Sequence, residues 1–179
     1  MLLPFILLCL LLGLFLLWQG RKTQRATGLP VGEVVYSDTG AWQKVESPLL
    51  SRRFGLVGRP DYLVEVTERG RKITVPVEVK SRKRPATLLA EHVLQLATYC
   101  LLVEDQYKVT PPYGLLRYAD VTLKIPYTGD LRTQVLNAAD AIRRGRTAPE
   151  VPRSHNEAER CRRCGYREGC GQELRIDRG

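Results

Sequence analysis

The sequence is short of acidic residues and of histidine. Its 179 residues include 19 aspartates and glutamates against 28 lysines and arginines, and only two histidines. The formal net charge of +9 at pH 7 suits a polyanionic partner, either nucleic acid or an anionic membrane surface. The alternative is a basic surface that serves only solubility. Internal repeats and low-complexity tracts are also absent, which excludes a repeat architecture.

Charged side chains are missing from residues 2–18, which are almost entirely Leu, Ile and Phe. A run of this length is near the lower limit for a membrane-spanning helix. It lacks the basic start and the small-x-small cleavage site of a secretory signal, which is the alternative interpretation. Arg21, Lys22 and Arg25 follow the run, so the positive-inside rule places the C-terminal part in the cytoplasm. We therefore expect residues 1–18 to be a single-pass transmembrane anchor at the cell membrane.

The rest of the chain is long enough for one domain with its own core. We expect a basic linker at 19–32, a core domain at 33–152 and a cysteine-rich tail at 153–179. Alternation of apolar and polar residues predicts strands, and between residues 54 and 80 successive strands are expected to be antiparallel. Longer stretches with helical apolar periodicity predict two helices. The predicted strands are 33–36, 54–58, 61–66, 73–80, 113–117 and 121–125, and the helices are 86–103 and 129–144.

This order of elements predicts a mixed α/β or α+β fold built on one central sheet. The helix at 86–103 has apolar residues on nearly every side, which is typical of a helix buried against a sheet. Pro76 lies inside the strand predicted at 73–80. Because proline cannot donate to a ladder, it argues against a fully paired central strand there.

Two acidic residues and a lysine stand where two neighbouring strands would bring them together. Asp61 opens one predicted strand, and Glu78 precedes Lys80 by two residues in the next one. Side chains alternate between the faces of a strand, so Glu78 and Lys80 should point the same way. Two carboxylates at a sheet edge can hold Mg²⁺ or Mn²⁺, with the backbone carbonyl of Val79 as a third ligand. The alternative is an ordinary charge pair on a solvated strand.

Such a site predicts hydrolysis of a phosphodiester. The metal would bind a phosphate oxygen and make hydroxide available from water, and Lys80 would orient that water or offset charge in the transition state. Gln95 and Tyr99 are four residues apart on the predicted helix, so they share one of its faces. From that face both side chains could reach the substrate phosphate or the water.

Five cysteines in a chain expected in the cytoplasm do not indicate a disulfide framework, because thiols stay reduced there. Three of them lie close together near the C-terminus, at Cys161, Cys164 and Cys170. Three thiolates suit Zn²⁺ or an iron–sulfur cluster. With His155 upstream they could also form a zinc site of three cysteines and one histidine, and the spacing does not distinguish these cofactors.

Taken together, these motifs resemble a known family. Residues 58–61 read Gly-Arg-Pro-Asp, residues 77–80 read Val-Glu-Val-Lys and residues 95–99 read Gln-Leu-Ala-Thr-Tyr, and the three cysteines follow. This order resembles the PD-(D/E)XK nuclease superfamily, in its RecB-like branch, and most closely the CRISPR-associated exonuclease family called Cas four. The resemblance covers roughly residues 31–172.

The resemblance implies a restriction-endonuclease-like fold, with a central mixed sheet flanked by helices. It implies a DNA exonuclease, with single-stranded DNA as the expected substrate. Asp61 and Glu78 would be the metal ligands and Lys80 the catalytic lysine, while Gln95 and Tyr99 would support substrate binding. Family members also carry a 4Fe–4S cluster on four cysteines, of which the three C-terminal cysteines would be the last three.

The first departure from the family concerns the fourth cluster ligand. The family's first cysteine usually follows a tyrosine, and the comparable residues 36–42 contain no cysteine. Asp38 is the candidate by position, and His155 is the alternative close to the C-terminal cysteines. Cys100 is a poor candidate, because it adjoins Tyr99 in a helix and reads as a small buried apolar residue.

The second departure is a missing histidine. Many RecB-like nucleases have one upstream of the first metal-binding aspartate, but His92 and His155 both follow Asp61. Two functions are therefore compared: a membrane-anchored DNA exonuclease, and a non-catalytic nucleic-acid-binding or scaffold protein with the same fold. The intact Glu78 and Lys80 pair favours the enzyme, because a binding module has no need of it. The missing histidine and cysteine favour the alternative.

Overall fold

The computed structural model describes residues 10–13, 33–34, 42–68 and 70–174. The chain divides into two compact units, Met1–Ala139 and Asp140–Gly179. Of the anchor predicted at 1–18, only residues 10–13 are described, and they are helical. The linker predicted at 19–32 lies outside the described residues. Within the described ranges, no helix is long and apolar enough to cross a membrane.

Among the described residues, the strands of the first unit are β1 (Glu33–Val34), β2 (Trp42–Lys44), β3 (Leu49–Ser51), β4 (Leu56–Gly58), β5 (Tyr62–Glu68), β6 (Arg71–Val79), β7 (Tyr113–Arg117) and β8 (Thr122–Pro126). Six of them form a mixed sheet with the order β1-β8-β7-β6-β5-β2. Neighbouring strands are antiparallel except β6 and β7, which are parallel. A separate antiparallel pair is formed by β3 and β4.

The parallel pair requires a crossover, which is supplied by the long helix α1 (Ala90–Tyr107). This helix packs against β6, β7 and the β3–β4 pair. Its buried residues lie on most of its circumference, as the apolar sequence pattern predicts. The second helix, α2 (Gly129–Thr147), is amphipathic. A short helix, α3 (Ala158–Arg162), belongs to the second unit.

The two faces of the sheet have different partners. Val77 and Leu115 are paired across β6 and β7 and pack in a cluster with Val64 and Val75. Their neighbours Glu78 and Leu116, paired in the same way, point to the other face. Leu116 there joins the main core, which includes buried residues of α1 and α2. Alternation along β6 thus directs Glu78 towards α1, on the opposite face from Val77.

The mixed α+β class and the central mixed sheet flanked by helices are confirmed. The expectation about Pro76 is confirmed, because β6 lies between β5 and β7 but is not fully paired. Pro76 lies opposite Leu63 of β5, and pairing with β7 begins only at Val77. The missing N–H of Pro76 therefore removes no bond from the parallel ladder.

Two elements differ from the prediction. The strand predicted at 54–58 does not pair with the strand that follows it, because β4 pairs with β3 instead. Helix α1 begins at Ala90 instead of residue 86, since Leu89 has extended backbone. It continues to Tyr107 and ends where Lys108 adopts a left-handed conformation, with φ 59°.

Candidate active site

Asp61 lies where β5 begins, opposite the end of β6. Its Oδ2 accepts a hydrogen bond from the Val79 N–H at 2.8 Å. The next residue, Lys80, donates its own N–H to the carbonyl of Arg117, the last residue of β7, at 2.7 Å. Because the N–H and C=O of successive strand residues point to opposite sides, the carbonyl of Val79 is expected on the side of Asp61. The sheet therefore directs one carboxylate and one backbone carbonyl to the same place.

Glu78 and Lys80 lie on the face of β6 that α1 covers, as alternation predicts. The side chains of Glu78 and Lys80 are 7% and 20% exposed. Lys80 Nζ donates to Glu78 Oε1 at 2.7 Å. Burial raises the pKa of Glu78, the bond from Lys80 opposes that rise, and the nearby Asp61 carboxylate adds to it. The two carboxylates are thus close enough to repel each other.

The lysine is also linked to α1. Lys80 Nζ donates to Gln95 Oε1 at 2.9 Å, and Gln95 Nε2 donates to the Tyr99 hydroxyl at 2.9 Å. Burial raises the pKa of Tyr99, and the negative charges of Glu78 and Asp61 add to the effect. Tyr99 therefore keeps its proton at neutral pH. All five side chains predicted to form the site are brought together, although their roles in catalysis stay a prediction.

Gly58 is a residue whose role the motif alone does not explain. A Cβ built at this position would lie 2.9 Å from Tyr99 Cε1 and 3.0 Å from Leu102 Cδ1. Real Cβ atoms do not approach carbon atoms this closely, so a side chain here would displace the tyrosine. The glycine lets the end of β4 approach α1 and so brings Asp61, three residues later, to the same site as Tyr99.

The donor set of this site is suitable for a hard divalent cation. Asp61 and Glu78 supply carboxylate oxygens and Val79 a carbonyl oxygen, which are the ligands that Mg²⁺ and Mn²⁺ prefer. A cation would also offset the repulsion that helps to raise the pKa of Glu78. In the described ranges, no three side chains of His, Cys, Asp or Glu converge on one point. The ligands that this site would offer to a cation are two carboxylates and a carbonyl.

The three C-terminal cysteines lie in the second unit. Cys161, Cys164 and Cys170 all line one cavity of about 230 Å³, together with His155. None of the three forms a disulfide, and Cys161 is buried while the others are exposed. The thiol of Cys161 accepts a hydrogen bond from the Leu174 N–H at 3.4 Å. This donor set fits a thiolate-bound metal, although the ligands are not drawn to one point among the described residues.

The two candidates for a fourth ligand have different outcomes. Asp38 lies outside the described residues. His155 lines the cavity, but its Nδ1 accepts a hydrogen bond from the Glu157 N–H at 3.2 Å. Cys100 is buried in α1, and burial raises the pKa of its thiol, as expected of a small core residue. Arg153 and Gln172 also line the cavity, and the backbone N–H of Arg153 donates to Gln172 Oε1 at 2.6 Å.

Comparison with known proteins adds information about the family. The model of a family described as "PD-(D/E)XK nuclease superfamily" matches residues 15–171. No curated protein matches the sequence. Among solved structures, one titled "Crystal structure of SSO0001" shares 20% sequence identity, with a TM-score of 0.43. The match covers 76% of this chain and 59% of that chain.

Proposed function

The chain belongs to the PD-(D/E)XK nuclease superfamily, and we propose that it is a divalent-metal-dependent DNA exonuclease of the RecB-like branch, acting on single-stranded ends. Membership of the superfamily supports nuclease activity and nucleic-acid binding. One observation carries it: hydrogen bonds connect Glu78, Lys80, Gln95 and Tyr99 into one chain beside Asp61. A solvated charge pair would have no reason to be buried against a helix in this way.

The residues of the site would have separate roles in phosphodiester hydrolysis. Asp61, Glu78 and the Val79 carbonyl would hold Mg²⁺ or Mn²⁺, which when bound polarises a phosphate oxygen and lowers the pKa of water. Lys80 has three N–H donors, and Glu78 and Gln95 accept two of them. The third is left for a phosphate oxygen or the attacking water.

Tyr99 would contribute a second donor. Its hydroxyl oxygen accepts from Gln95, so its own proton is available to another acceptor. The raised pKa of Tyr99 keeps that proton in place. The cluster would thus present donors from Lys80 and Tyr99 and acceptors from Asp61 and Glu78, which suits an anionic substrate with a leaving oxygen.

The choice between exonuclease and other activities depends on substrate ends. The full chain, kept in detergent because of its apolar N-terminal run, would be incubated with linear and with covalently closed circular single-stranded DNA, in Mg²⁺ or Mn²⁺ and in EDTA. The proposal predicts that only linear DNA is degraded, and only with metal. Cutting of the circle would contradict the exonuclease assignment. Binding without cutting would support the non-catalytic alternative.

We further propose that the protein is anchored at the cytoplasmic face of the cell membrane. The support is the sequence alone: residues 2–18 carry no charge, and Arg21, Lys22 and Arg25 follow them. Membrane fractionation of cells that make the protein would test this. The full chain should sediment with the membranes and resist alkaline extraction, and recovery in the soluble fraction would contradict the proposal.

A further inference from the structure

A basic loop follows the lysine of the site. Residues 81–84 connect Lys80 to the segment that precedes α1, and Arg82, Lys83 and Arg84 in this loop are all exposed. Among the described residues, these three basic side chains take part in no ion pair with a carboxylate. Their positive charge is therefore available to a ligand beside the candidate active site.

The backbone of this loop is fixed by the turn between β7 and β8. The Arg82 carbonyl accepts from the Ala119 N–H at 3.1 Å. The Arg84 N–H donates to Asp120 Oδ1 at 2.8 Å. The N–H of Lys80, just before the loop, is bound to the Arg117 carbonyl. Three hydrogen bonds in five residues leave the loop ordered while its basic side chains face solvent.

The guanidinium of Arg82 is held by a buried histidine. Arg82 Nη2 and His92 Nε2 are 3.1 Å apart. On the other side of the ring, His92 Nδ1 and the Tyr118 hydroxyl are 2.8 Å apart. Arginine can only donate, so Nε2 must be the acceptor and Nδ1 carries the proton that is shared with Tyr118. His92 is therefore neutral in this arrangement and binds Arg82 without cancelling its charge.

The surroundings of His92 favour the neutral ring. Burial lowers its pKa, and the charges of Lys80 and Arg82 lower it further, while Glu91 acts in the opposite direction. The residue His92 is 8% exposed, and Tyr118, its other partner, is fully buried. His92 lies one helical turn before Gln95 on α1, so the two side chains lie on neighbouring positions of one helix face. The arginine is thus held next to the chain of hydrogen bonds that contains Lys80.

We propose that Arg82 binds a backbone phosphate of the nucleic acid next to the phosphate that is cleaved, and that His92 is its positioning residue. A carboxylate in place of His92 would have neutralised the guanidinium, whereas the imidazole leaves the charge and the remaining N–H groups for phosphate oxygens. Because the arginine is already ordered, binding a phosphate costs less conformational entropy. This inference rests on the proposed function.

The first test measures binding without cleavage. The full chain would bind a fluorescent single-stranded oligonucleotide in EDTA over a series of salt concentrations. Loss of one phosphate contact in Arg82→Ala should make the slope of log affinity against log salt less steep by about 0.7. Arg71→Ala, with the same change of charge at the far end of β6, should leave the slope as it is in the wild type. Equal slopes for Arg82→Ala and the wild type would overturn the proposal.

The second test separates positioning from general stability. His92→Gln can still offer an acceptor to Arg82, whereas His92→Leu cannot. We expect the salt slope to be retained in His92→Gln and reduced in His92→Leu to that of Arg82→Ala, with thermal unfolding recorded for both. Should His92→Leu fold and keep the wild-type slope, or should both variants lose it equally, the role of His92 would be refuted.

The two proposals fail in different ways. A wild-type protein that binds the oligonucleotide but never cuts it would contradict the exonuclease, and the Arg82 slope would still be measured. If the wild type cuts DNA and Arg82→Ala has the same salt slope as the wild type, only the inference about Arg82 is contradicted. Absence of nucleic-acid binding by the wild type would overturn both.

Discussion

Glu78 is the residue where function and stability oppose each other most directly. Its carboxylate is buried against α1, and burial raises its pKa more than the bond from Lys80 lowers it. A buried charge that is incompletely compensated destabilises the fold, and active sites commonly carry such a cost. This one side chain is therefore expected to carry a measurable stability penalty.

Glu78→Gln should increase the free energy of unfolding of the metal-free protein at neutral pH, by about 1 kcal/mol. The folded-state pKa of Glu78 is raised above its ordinary value of 4.5. A raised pKa means that the folded state binds the proton more tightly, so stability falls as pH rises through that range. Glutamine does not titrate, and the advantage of the variant should grow from acidic to neutral pH in urea titrations with EDTA.

A carboxylate with the opposite shift provides the control. The hydrogen bond from Ser51 lowers the pKa of Asp105, and the hydrogen bond from Lys108 lowers it further. Asp105→Asn should therefore lose stability at neutral pH, with a loss that shrinks as the pH falls through the lowered pKa. If Glu78→Gln is destabilising in the same titrations, burial is not the dominant influence on Glu78.

Gln95 should matter for the rate because it orients Lys80. Gln95→Ala removes both the acceptor for Lys80 Nζ and the donor to Tyr99. Removing a partner that orients a catalytic group typically costs about 10- to 100-fold in activity. We expect kcat for DNA cleavage to fall by that amount. Gln106→Ala, an exposed change of the same type on α1, should leave kcat unaltered, and equal rates for both variants would contradict the role of Gln95.

Part of this site could be predicted from residue spacing. The strand period placed Glu78 and Lys80 on one face, and the helix period placed Gln95 and Tyr99 on another. The contact between Lys80 and Gln95 was beyond those rules, because it depends on how the crossover helix lies on β6. The same holds for Gly58. Only the structure shows that Tyr99 lies beside it and leaves no room for a side chain at this position.

At the scale of elements, the position of α1 over the sheet depends on close packing at β7. A Cβ built on Gly114 would lie 2.7 Å from Leu96 Cγ, with two further side-chain atoms of Leu96 within 2.9 Å. Leu96 is 1% exposed and belongs to the main core. The absence of a side chain at Gly114 thus sets how closely the helix approaches the strand.

Gly114→Ala should destabilise the protein by about 1–3 kcal/mol, as overpacking of a tight core does. It should also lower activity, because α1 carries Gln95 and Tyr99. Gly129→Ala at the start of α2 is the matched control, since no atom lies within 4 Å of its added Cβ. Thermal unfolding and cleavage rates would be measured for both. Equal stability of the two variants would show that α1 has room to move away from β7.

The boundaries of these elements were harder to predict than their existence. The apolar pattern predicted α1, yet its start depends on the extended backbone at Leu89 and its end on the left-handed Lys108. The pairing of β4 with β3 could not be read from the alternation, which gives the faces of a strand but not its neighbour. The sequence around Pro76 predicted incomplete pairing but not the central position of β6, because the order and register of strands are properties of the whole sheet.

At the scale of the whole molecule, the second unit carries a donor set of its own. The cavity lined by Cys161, Cys164, Cys170 and His155 lies within one compact unit. Three thiols and an imidazole suit either zinc or an iron–sulfur cluster. The resemblance of the motifs to the RecB-like branch favours the cluster, and the zinc alternative remains distinguishable by composition.

The full chain purified without oxygen should contain iron and acid-labile sulfide. Cys164→Ser should remove both, because it deletes one of the thiols that would bind the cluster at the cavity. Cys100→Ser should retain both, because Cys100 is buried in α1 and does not line the cavity. His155→Ala and Asp38→Ala would be analysed in parallel. The variant that loses iron identifies the fourth ligand. Stoichiometric zinc without iron would show that the cluster assignment is wrong.

If Asp61, Glu78 and Lys80 form a metal-dependent nuclease centre, DNA degradation should depend on each of these side chains. The full chain, Glu78→Ala and Lys80→Ala would each be mixed in excess with end-labelled linear single-stranded DNA in Mn²⁺ or Mg²⁺. We expect degradation by the wild type alone, with both variants still folded and binding DNA. Wild-type protein that binds the DNA without degrading it, or variants that degrade it equally fast, would contradict the claim.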